Sequence, residues 1–527
     1  MLDVAIVGGT VVDGTGSAPR RADVGVKDGR VVTIGSLEDS ASRVIDADQL
    51  VVAPGFVDLH THYDAQLMWD PTASPSPLHG VTTVFGGNCG FTLAPAAPDQ
   101  VDYMARLMAR VEGIPLAALE QGVPWDWKSF GDYLDRLEAR GIAVNAGFLV
   151  GHSALRRMAM GEAAVGQPAD ESALDSMARM LHESLAAGAL GLSSSQAPTH
   201  NDGDGNPVPS RAASREELVS LAACLREHAG TQLELIIAGC LNGFSPEEVD
   251  LMGELSLAAD RPLNWNLLGV SAGGNHEHQL EASTTAAARG ARVVALTLPH
   301  RMRIRLSFLT GFVLDALPGW RETLSLPLPD RVRALSDPEV RRRLDQGAHS
   351  PDAGVLSNLA RWERLTVAEA FTDETRRLEG RNIGDVAEEQ AKEPFDALLD
   401  IVVADDLRTG LRPDMGKEPD ETWAARAAVW RDSRAVVGGS DAGAHLDMMC
   451  GASYSTFLVG DAVRDRGLLT MEEAVRELTD VPARLYGLTE RGRLVPGWHA
   501  DVVVFDPSTV GPDQERTRDD LPGGASR

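Results

Sequence analysis

The chain has 527 residues, of which 43% are hydrophobic, so it can bury a large core and form one large domain with a small accessory one. Its formal charge of −28 disfavours nucleic acids and anionic membranes as partners, because both would repel an acidic protein. The four cysteines form no CxxC pair, and the first residues lack the pattern of a signal peptide. We therefore expect a cytoplasmic protein, with homo-oligomerisation left open.

Residues 1–52 alternate short Val- and Ile-rich runs with Gly/Asp turns, a pattern typical of antiparallel hairpins. The stretch 492–507 has the same character. We predict that residues 1–52 and 486–527 together build one small β-sandwich from both ends of the chain. The last residues are polar, and we expect them to be frayed.

Between these ends, short apolar runs alternate with stretches of helical period, which indicates βα units and a parallel sheet. The eight strand candidates are 55–61, 81–87, 142–151, 189–195, 231–239, 262–269, 291–298 and 435–441. They predict an α/β fold, a (β/α)8 TIM barrel over 53–485, with catalytic groups at the carboxyl ends of the strands. The charged, helix-rich segment of about 300–434 is too long for a loop, and we predict a helical lid inserted before the last barrel strand.

The strongest local signal is DLHTHYD (58–64), in which His60 and His62 are separated by one residue. On a strand such residues point to the same side, so both imidazoles are well placed at the strand's carboxyl end to bind one divalent metal ion. A buried, hydrogen-bonded pair of histidines is the alternative.

Two further segments supply candidate ligands. Asp441 ends the last predicted strand in GGSDAGAHLD, where it can bind a metal ion and accept the proton of an attacking water; a helix N-cap is the alternative. Cys89 in GGNCGF follows the second strand, where a thiolate would be a soft metal ligand and a buried, inert cysteine is the alternative.

Taken together, PGFVDLHTH, GSDAGAH and ADVVVFDP resemble the amidohydrolase superfamily, and GGNCGF, GHSALR and REELVSLA resemble its N-acyl-D-amino-acid deacylase branch. The resemblance implies a zinc site held by His60, His62, Cys89 and Asp441, with Asp441 also the catalytic base. It implies hydrolysis of the amide of an N-acyl amino acid, a small-molecule substrate. In this family the terminal β module usually continues past a DLPGG-like stretch, so we expect an incomplete module here.

The family also places histidine ligands at the ends of the fifth and sixth strands, where this sequence reads TQLELIIAG and PLNWNLLG. Glu234 and Asn266 are the polar residues that can take these places, Glu234 as a ligand and Asn266 more readily as a hydrogen-bond partner. Both can equally be ordinary strand residues or contact substrate. We therefore expect one zinc ion, with another divalent metal as the alternative.

Other histidines lie near the predicted strand ends. His152, His200 and His445 follow the third, fourth and eighth strands, and we predict that they contact substrate or a metal ligand rather than the metal itself. His276 and His278 mimic a second HxH pair, but we expect them to open a helix after the sixth strand.

Arg301, Arg303 and Arg305 follow the seventh strand, where a planar guanidinium can clamp a substrate carboxylate; a surface role is equally open. Three functions are compatible with these residues. The first is hydrolysis of an N-acyl amino acid. The second keeps the barrel and the metal for a decarboxylase, deaminase or cyclic amidase reaction, and the third is a non-catalytic binding protein.

Overall fold

The two ends of the chain meet in one six-stranded sheet of the computed structural model, which describes residues 1–240 and 243–527. Val502–Phe505 pairs antiparallel with Val51–Pro54, which in turn lies beside the first strand of the chain. Inward-facing valines and isoleucines of this sheet form a hydrophobic cluster of their own. The strands of the sheet are Leu2–Val11, Arg20–Lys27, Arg30–Gly35, Ala41–Asp46, Val51–Pro54 and Val502–Phe505.

All eight predicted barrel strands are present and pair in parallel, in chain order. We number them one to eight, and strand three is interrupted at Leu149. A parallel bridge between Thr61 and Ala442 joins the ends of strands one and eight, which closes the ring. The strands are Phe56–Asp58, Val81–Gly86, Asn145–Phe148 with Val150–Gly151, Gly191–Ser195, Gln232–Ile236, Leu263–Leu268, Val293–Thr297 and Ala435–Val437.

Helices surround this ring, and their apolar faces pack with the strands in the largest hydrophobic cluster of the molecule. The helix His276–Ala288 follows strand six, which confirms that His276 and His278 open a helix. The helices outside the insertion are Val101–Val111, Leu116–Gly122, Phe130–Arg140, His152–Met160, Glu171–Ala186, Arg215–Cys224, Pro246–Ala259, His276–Ala288, Asp420–Trp430, Tyr454–Phe457, Met471–Leu478 and Asp480–Leu485, with a π-helix at Leu458–Asp465.

The segment predicted as a lid is mostly helical and has its own hydrophobic core, from Leu306 to Leu411. It also contains a two-stranded antiparallel sheet, Leu365–Glu369 with Gly410–Pro413, which the sequence pattern did not reveal. Asp420–Trp430 packs into the barrel cluster instead, as the helix before strand eight. The remaining helices of the segment are Arg321–Leu324, Leu328–Ser336, Pro338–Ala348, Asp373–Arg376, Ile383–Gln390 and Pro394–Ala404.

The expectation of a frayed C-terminal segment is wrong, because residues 511–527 pack between the insertion and the barrel. Thr517 donates hydrogen bonds to the carboxylate of Glu369 in the insertion, and the Arg527 guanidinium donates to the backbone carbonyl of Ser74 in the barrel. Leu521 is buried. Among the described residues, no helix combines the length and apolar character needed to cross a bilayer.

Candidate metal centre

His60 and His62 follow strand one directly, and both imidazoles are buried at the mouth of the barrel. Cys89 comes from the turn after strand two and places its Sγ 3.5 Å from His60 Nε2. The ligand atoms of these three residues all lie within 4.8 Å of one another. Cys89 lies 27 positions after His62 in the chain, and the fold brings its thiol next to the HxH pair.

Asp441 reaches the same cluster from the end of strand eight. Its Oδ1 lies 3.0 Å from His62 Nε2 and 3.5 Å from His60 Nε2. The alternative of a helix N-cap is wrong, because Asp441 has a left-handed backbone with φ 59° and no helix begins there. His60 and His62, from the start of the barrel sequence, and Asp441, from its end, thus face one point.

The backbone around the cluster is held in uncommon conformations. Cys89 and His445 also have positive φ angles, 56° and 49°. Two residues before Cys89, a Cβ on Gly87 would lie 2.1 Å from the carbonyl oxygen of Leu149, so only glycine fits this turn. Non-glycine residues with left-handed backbone concentrate where the surrounding structure must aim side chains, and here they aim a thiol, a carboxylate and an imidazole.

Two donor separations at His60 match those of a tetrahedral zinc ion, and the His62 to Asp441 separation is shorter. With Zn–N of about 2.0 Å and Zn–S of about 2.3 Å, tetrahedral geometry places neighbouring donors about 3.3–3.6 Å apart. The His60 to Cys89 and His60 to Asp441 separations are both 3.5 Å, and the His62 to Asp441 separation is 3.0 Å. Two imidazoles, a thiol and a carboxylate are also a donor set that zinc accepts.

Each imidazole has a carboxylate on its far side, as metal-bound histidines usually require. His62 Nδ1 lies 3.2 Å from Oε2 of Glu112, and His60 Nδ1 lies 4.0 Å from Oε1 of Glu234. Both carboxylates are buried. Neither contact has hydrogen-bond geometry in this structure, so each Nδ1 faces the charge of a buried carboxylate without accepting or donating a proton there.

Sequence reasoning missed Glu112. It caps the carboxyl end of helix Val101–Val111, where the helix dipole disfavours a negative charge. An acidic residue at an unfavourable helix terminus was therefore the available signal for a special role. The backbone N–H of His445 donates to the carbonyl oxygen of Glu112 at 2.5 Å, which ties this helix end to the loop that follows Asp441.

The acidic groups of the cluster differ in the direction in which their pKa values are shifted. Burial opposes ionisation of Asp441, but the hydrogen bonds of His60 and His62 outweigh burial and hold the pKa of this carboxyl well below its usual range. Burial and the neighbouring charge of Asp441 raise the pKa of Glu112 well above its usual range. Burial and the charge of Glu234 likewise raise the pKa of the Cys89 thiol, so a thiolate here needs a compensating cation.

The structure gives Glu234 and Asn266 different positions. Glu234 Oε2 accepts the backbone N–H of Cys89 at 2.7 Å, so its side chain lies behind the ligands and does not line the cavity, against the expectation that it contacts substrate. Burial raises its pKa to about 7. Asn266 lines the cavity and its Nδ2 donates to Cys89 Sγ at 3.6 Å, in agreement with a hydrogen-bonding role.

A cavity of about 210 Å³ opens above the cluster, and His200 and His445 line it. His445 Nε2 lies 3.6 Å from Asp441 Oδ2, and its ring stacks on Phe312 of the insertion. Burial lowers the pKa of His200 to about 4, so this imidazole is neutral, and its Nδ1 is 2.8 Å from Ser195 Oγ. Both histidines are placed to contact a bound molecule.

His152 does not belong to this cavity. Its Nδ1 pairs with Ser194 Oγ at 2.9 Å, its Nε2 pairs with Glu217 at 2.8 Å, and Glu217 also binds the buried Arg156. Both ring nitrogens are thus occupied within a buried polar network. The expectation of substrate contact is replaced by a structural role.

The three candidate arginines have different surroundings in the structure. Arg303 lines the cavity above the cluster and forms an ion pair with Glu515 at 3.4 Å. Arg301 donates to the carbonyl oxygens of residues 415 and 416, and Arg305 is held by Glu369. Neither Arg301 nor Arg305 lines this cavity, and these contacts hold their guanidinium groups against other residues of the inserted segment.

A closed α/β barrel with two histidines, a cysteine and an aspartate at the carboxyl ends of its strands defines a metal-dependent hydrolase. Comparison with known proteins gives the family. The profile described as "Amidohydrolase family" matches residues 43–521. The chain belongs to this family, as predicted, and therefore to the hydrolases of carbon–nitrogen bonds other than peptide bonds.

Relatives extend over nearly the whole chain. D-aminoacylase of Alcaligenes xylosoxydans xylosoxydans is 31% identical over 96% of this chain and 89% of its own length. N-acyl-D-glutamate deacylase of the same organism is 29% identical over 97% of this chain and 88% of its own length.

Solved structures agree with these relatives. A structure of D-aminoacylase, described with a binuclear metal centre, has a TM-score of 0.63 at 27% identity and covers 97% of this chain and 91% of its own. N-acyl-D-glutamate deacylase from Bordetella bronchiseptica, solved with zinc and a phosphonate inhibitor, has a TM-score of 0.64 at 25% identity and covers 100% of this chain and 94% of its own. The predicted fold class is thereby confirmed.

Proposed function

We propose that this chain hydrolyses the amide bond of an N-acyl-D-amino acid with the help of one divalent metal ion, preferably Zn²⁺. The observation that carries the proposal is the convergence of His60, His62, Cys89 and Asp441 at the barrel mouth. The names of the full-length relatives, a D-aminoacylase and an N-acyl-D-glutamate deacylase, support the substrate class.

The four converging side chains would hold the ion, with Glu112 and Glu234 orienting the two imidazoles. When bound, the ion would acidify a water molecule and polarise the scissile carbonyl. Among the described residues, Glu234 and Asn266 rather than imidazoles stand at the ends of strands five and six, which supports a single ion as the working form.

Asp441 has two carboxylate oxygens in different surroundings, which suits a double role. Oδ1 faces the two ligand imidazoles, whereas Oδ2 faces His445 at 3.6 Å. We assign Oδ2 as the base that takes a proton from the attacking water and returns it to the leaving nitrogen. His445 orients this oxygen, which is ionised before the first transfer, carries the proton between the two transfers and is ionised again after the second.

Arg303 is the arginine suited to hold the α-carboxylate of the substrate, because it lines the cavity beside the cluster. Hydrophobic side chains line the same cavity, including Val111, Ile236 and Leu298. The acyl chain or the amino-acid side chain would pack against them. Phe312 of the insertion stacks on His445, one of the residues that line this cavity.

A product assay tests the proposal directly. Purified protein, loaded with Zn²⁺ and assayed with N-acetyl-D- and N-acetyl-L-amino acids, should release acetate and a free amino acid from the D series. Release of carbon dioxide would instead support a decarboxylase, and absence of any turnover with less than one metal ion per chain would support a binding protein. Arg303→Ala should lower kcat/KM mainly through KM, whereas Arg301→Ala is the matched control.

We further propose a cytoplasmic location, because all four cysteines are free and suit a reducing compartment. Cell fractionation followed by detection of the protein in the cytosolic fraction tests this. Size-exclusion chromatography with light scattering determines whether the chain forms a homo-oligomer.

A further inference from the structure

A second and larger cavity, of about 1160 Å³, lies in front of the metal centre between the barrel, the insertion and the C-terminal segment 511–527. We call it the vestibule. It meets the inner cavity, because Arg303, Met449, Cys450 and Glu515 line both. The vestibule and the inner cavity are therefore adjacent.

The charge of the vestibule is opposite to that of the molecule. The chain as a whole has a formal charge of −28. Among the described residues that line the vestibule, seven are arginines and four are aspartates or glutamates. A protein that is strongly acidic elsewhere thus concentrates guanidinium groups along one concave wall, which focuses a positive potential there.

Three of these arginines have no acidic partner within ion-pair distance in the part of the chain that the structure describes. They are Arg412 on the insertion and Arg516 and Arg518 on the C-terminal segment. The other four arginines of the wall pair with carboxylates, among them Arg305 with Glu369. The positive charge of the unpaired three is available to an incoming ligand.

The backbone that carries Arg516 and Arg518 is held in place. Between them, Thr517 donates to Glu369 and accepts from Arg305. Arg518 and Arg527 exchange two backbone hydrogen bonds, each of 2.8 Å. The wall is therefore an ordered part of the fold, built by a segment whose sequence alone suggested fraying.

We propose that the vestibule is an anion-attracting antechamber, which concentrates small carboxylate ligands through Arg412, Arg516 and Arg518 before they reach the metal centre. Its link to catalysis rests on the proposed function, because N-acyl amino acids carry a free α-carboxylate. A concave wall of one charge raises the local concentration of an oppositely charged ligand, and added salt weakens this effect.

Cys450 provides a test that does not depend on any enzymatic activity. It lines the vestibule and is exposed, whereas the other three cysteines are buried. We compare its alkylation rates with iodoacetate, an anion, and iodoacetamide, which is neutral and of similar size. The ratio of the two rates reports the local potential, because any change in thiol ionisation affects both reagents equally. Cys450→Ser identifies the labelled site.

The proposal predicts an iodoacetate to iodoacetamide ratio above that of free cysteine, and a decrease of about threefold to tenfold in the double variant Arg516→Gln/Arg518→Gln at low salt. High salt should remove the difference. Arg43→Gln/Arg377→Gln is the matched control, because both arginines are exposed, form no ion pair with a residue that the structure describes and line neither cavity. An unchanged ratio in the vestibule variant, or an equal decrease in the control, would overturn the proposal.

Kinetics connect the vestibule to turnover. For an N-acyl-D-amino acid, Arg516→Gln/Arg518→Gln should raise KM at low salt and leave kcat unchanged, whereas the neutral amide of the same substrate should show no change. If the alkylation ratio decreases as expected but no N-acyl-D-amino acid is hydrolysed, the proposed function is rejected and the antechamber is supported. Hydrolysis with an unaltered alkylation ratio would reject the antechamber alone.

Discussion

The two sides of the barrel mouth differ in what they offer a metal ion. On the side of strands one and eight, the Nε2 atoms of His60 and His62 lie 3.5 and 3.0 Å from Oδ1 of Asp441. On the side of strands five and six, Glu234 and Asn266 stand where the resemblance implies histidines. Their polar atoms contact Cys89 and face His60, so they serve ligands of the first side.

This difference teaches that a barrel position suited to a ligand can instead support one. Glu234 binds the backbone N–H of Cys89 and Asn266 donates to its sulfur, so both hold the residue that lies between the two sides. The proposal of a single ion rests on this carboxylate and this amide. Substitutions on each side should therefore have different consequences, and four of them test the comparison in order of expected effect.

The largest effect is expected for Asp441→Asn. The amide keeps the size of the side chain but cannot accept a proton, so kcat for an N-acyl-D-amino acid should fall by about 10²–10⁴-fold. Steady-state kinetics and the metal content of the same preparation measure the two roles separately. Full activity in this variant would contradict the assignment of the base. If the variant loses its metal together with its activity, Asp441 acts as a metal ligand and its role as base is not supported.

Glu112→Gln is expected to have the next largest effect. It removes the carboxylate at 3.2 Å from His62 Nδ1, and metal affinity should fall by about 10–100-fold. Glu234→Gln is the matched comparison on the other side, where the distance to His60 Nδ1 is 4.0 Å and the expected loss is smaller. Competition with a chromophoric chelator measures both affinities. Equal losses of metal affinity would show that the two carboxylates support the metal centre to the same extent.

The sequence predicted those parts of the site that depend on local patterns. Strand periodicity located all eight barrel strands, and the one-residue spacing of His60 and His62 placed both imidazoles on one side. It did not reveal Glu112, whose contact with His62 spans 50 positions and arises only when a helix end packs on the barrel. The folding of the C-terminal segment against Glu369 was hidden for the same reason, since polar tails look alike until their partners are known.

A smaller effect is expected for Asn266→Ala, which removes the N–H donor to Cys89 Sγ. A hydrogen bond to a charged group contributes about 1.5–3 kcal/mol, and part of this should appear as weaker metal binding, by about tenfold. Substitution by aspartate brings a negative charge beside the sulfur and should weaken binding further. Unchanged affinity in both variants would show that the strand-six side contributes nothing to the centre.

The smallest effect on the centre is expected for His152→Asn, because this histidine belongs to the buried network with Ser194 and Glu217. Asparagine cannot satisfy both partners, so the free energy of unfolding should decrease by about 1–3 kcal/mol. Metal content and kcat should stay at the level of the unmodified protein. Urea unfolding measures the first quantity, and metal analysis with kinetics measures the others. If the variant loses its metal while its stability is unchanged, His152 belongs to the metal centre, and the metal-binding residues extend to strand three.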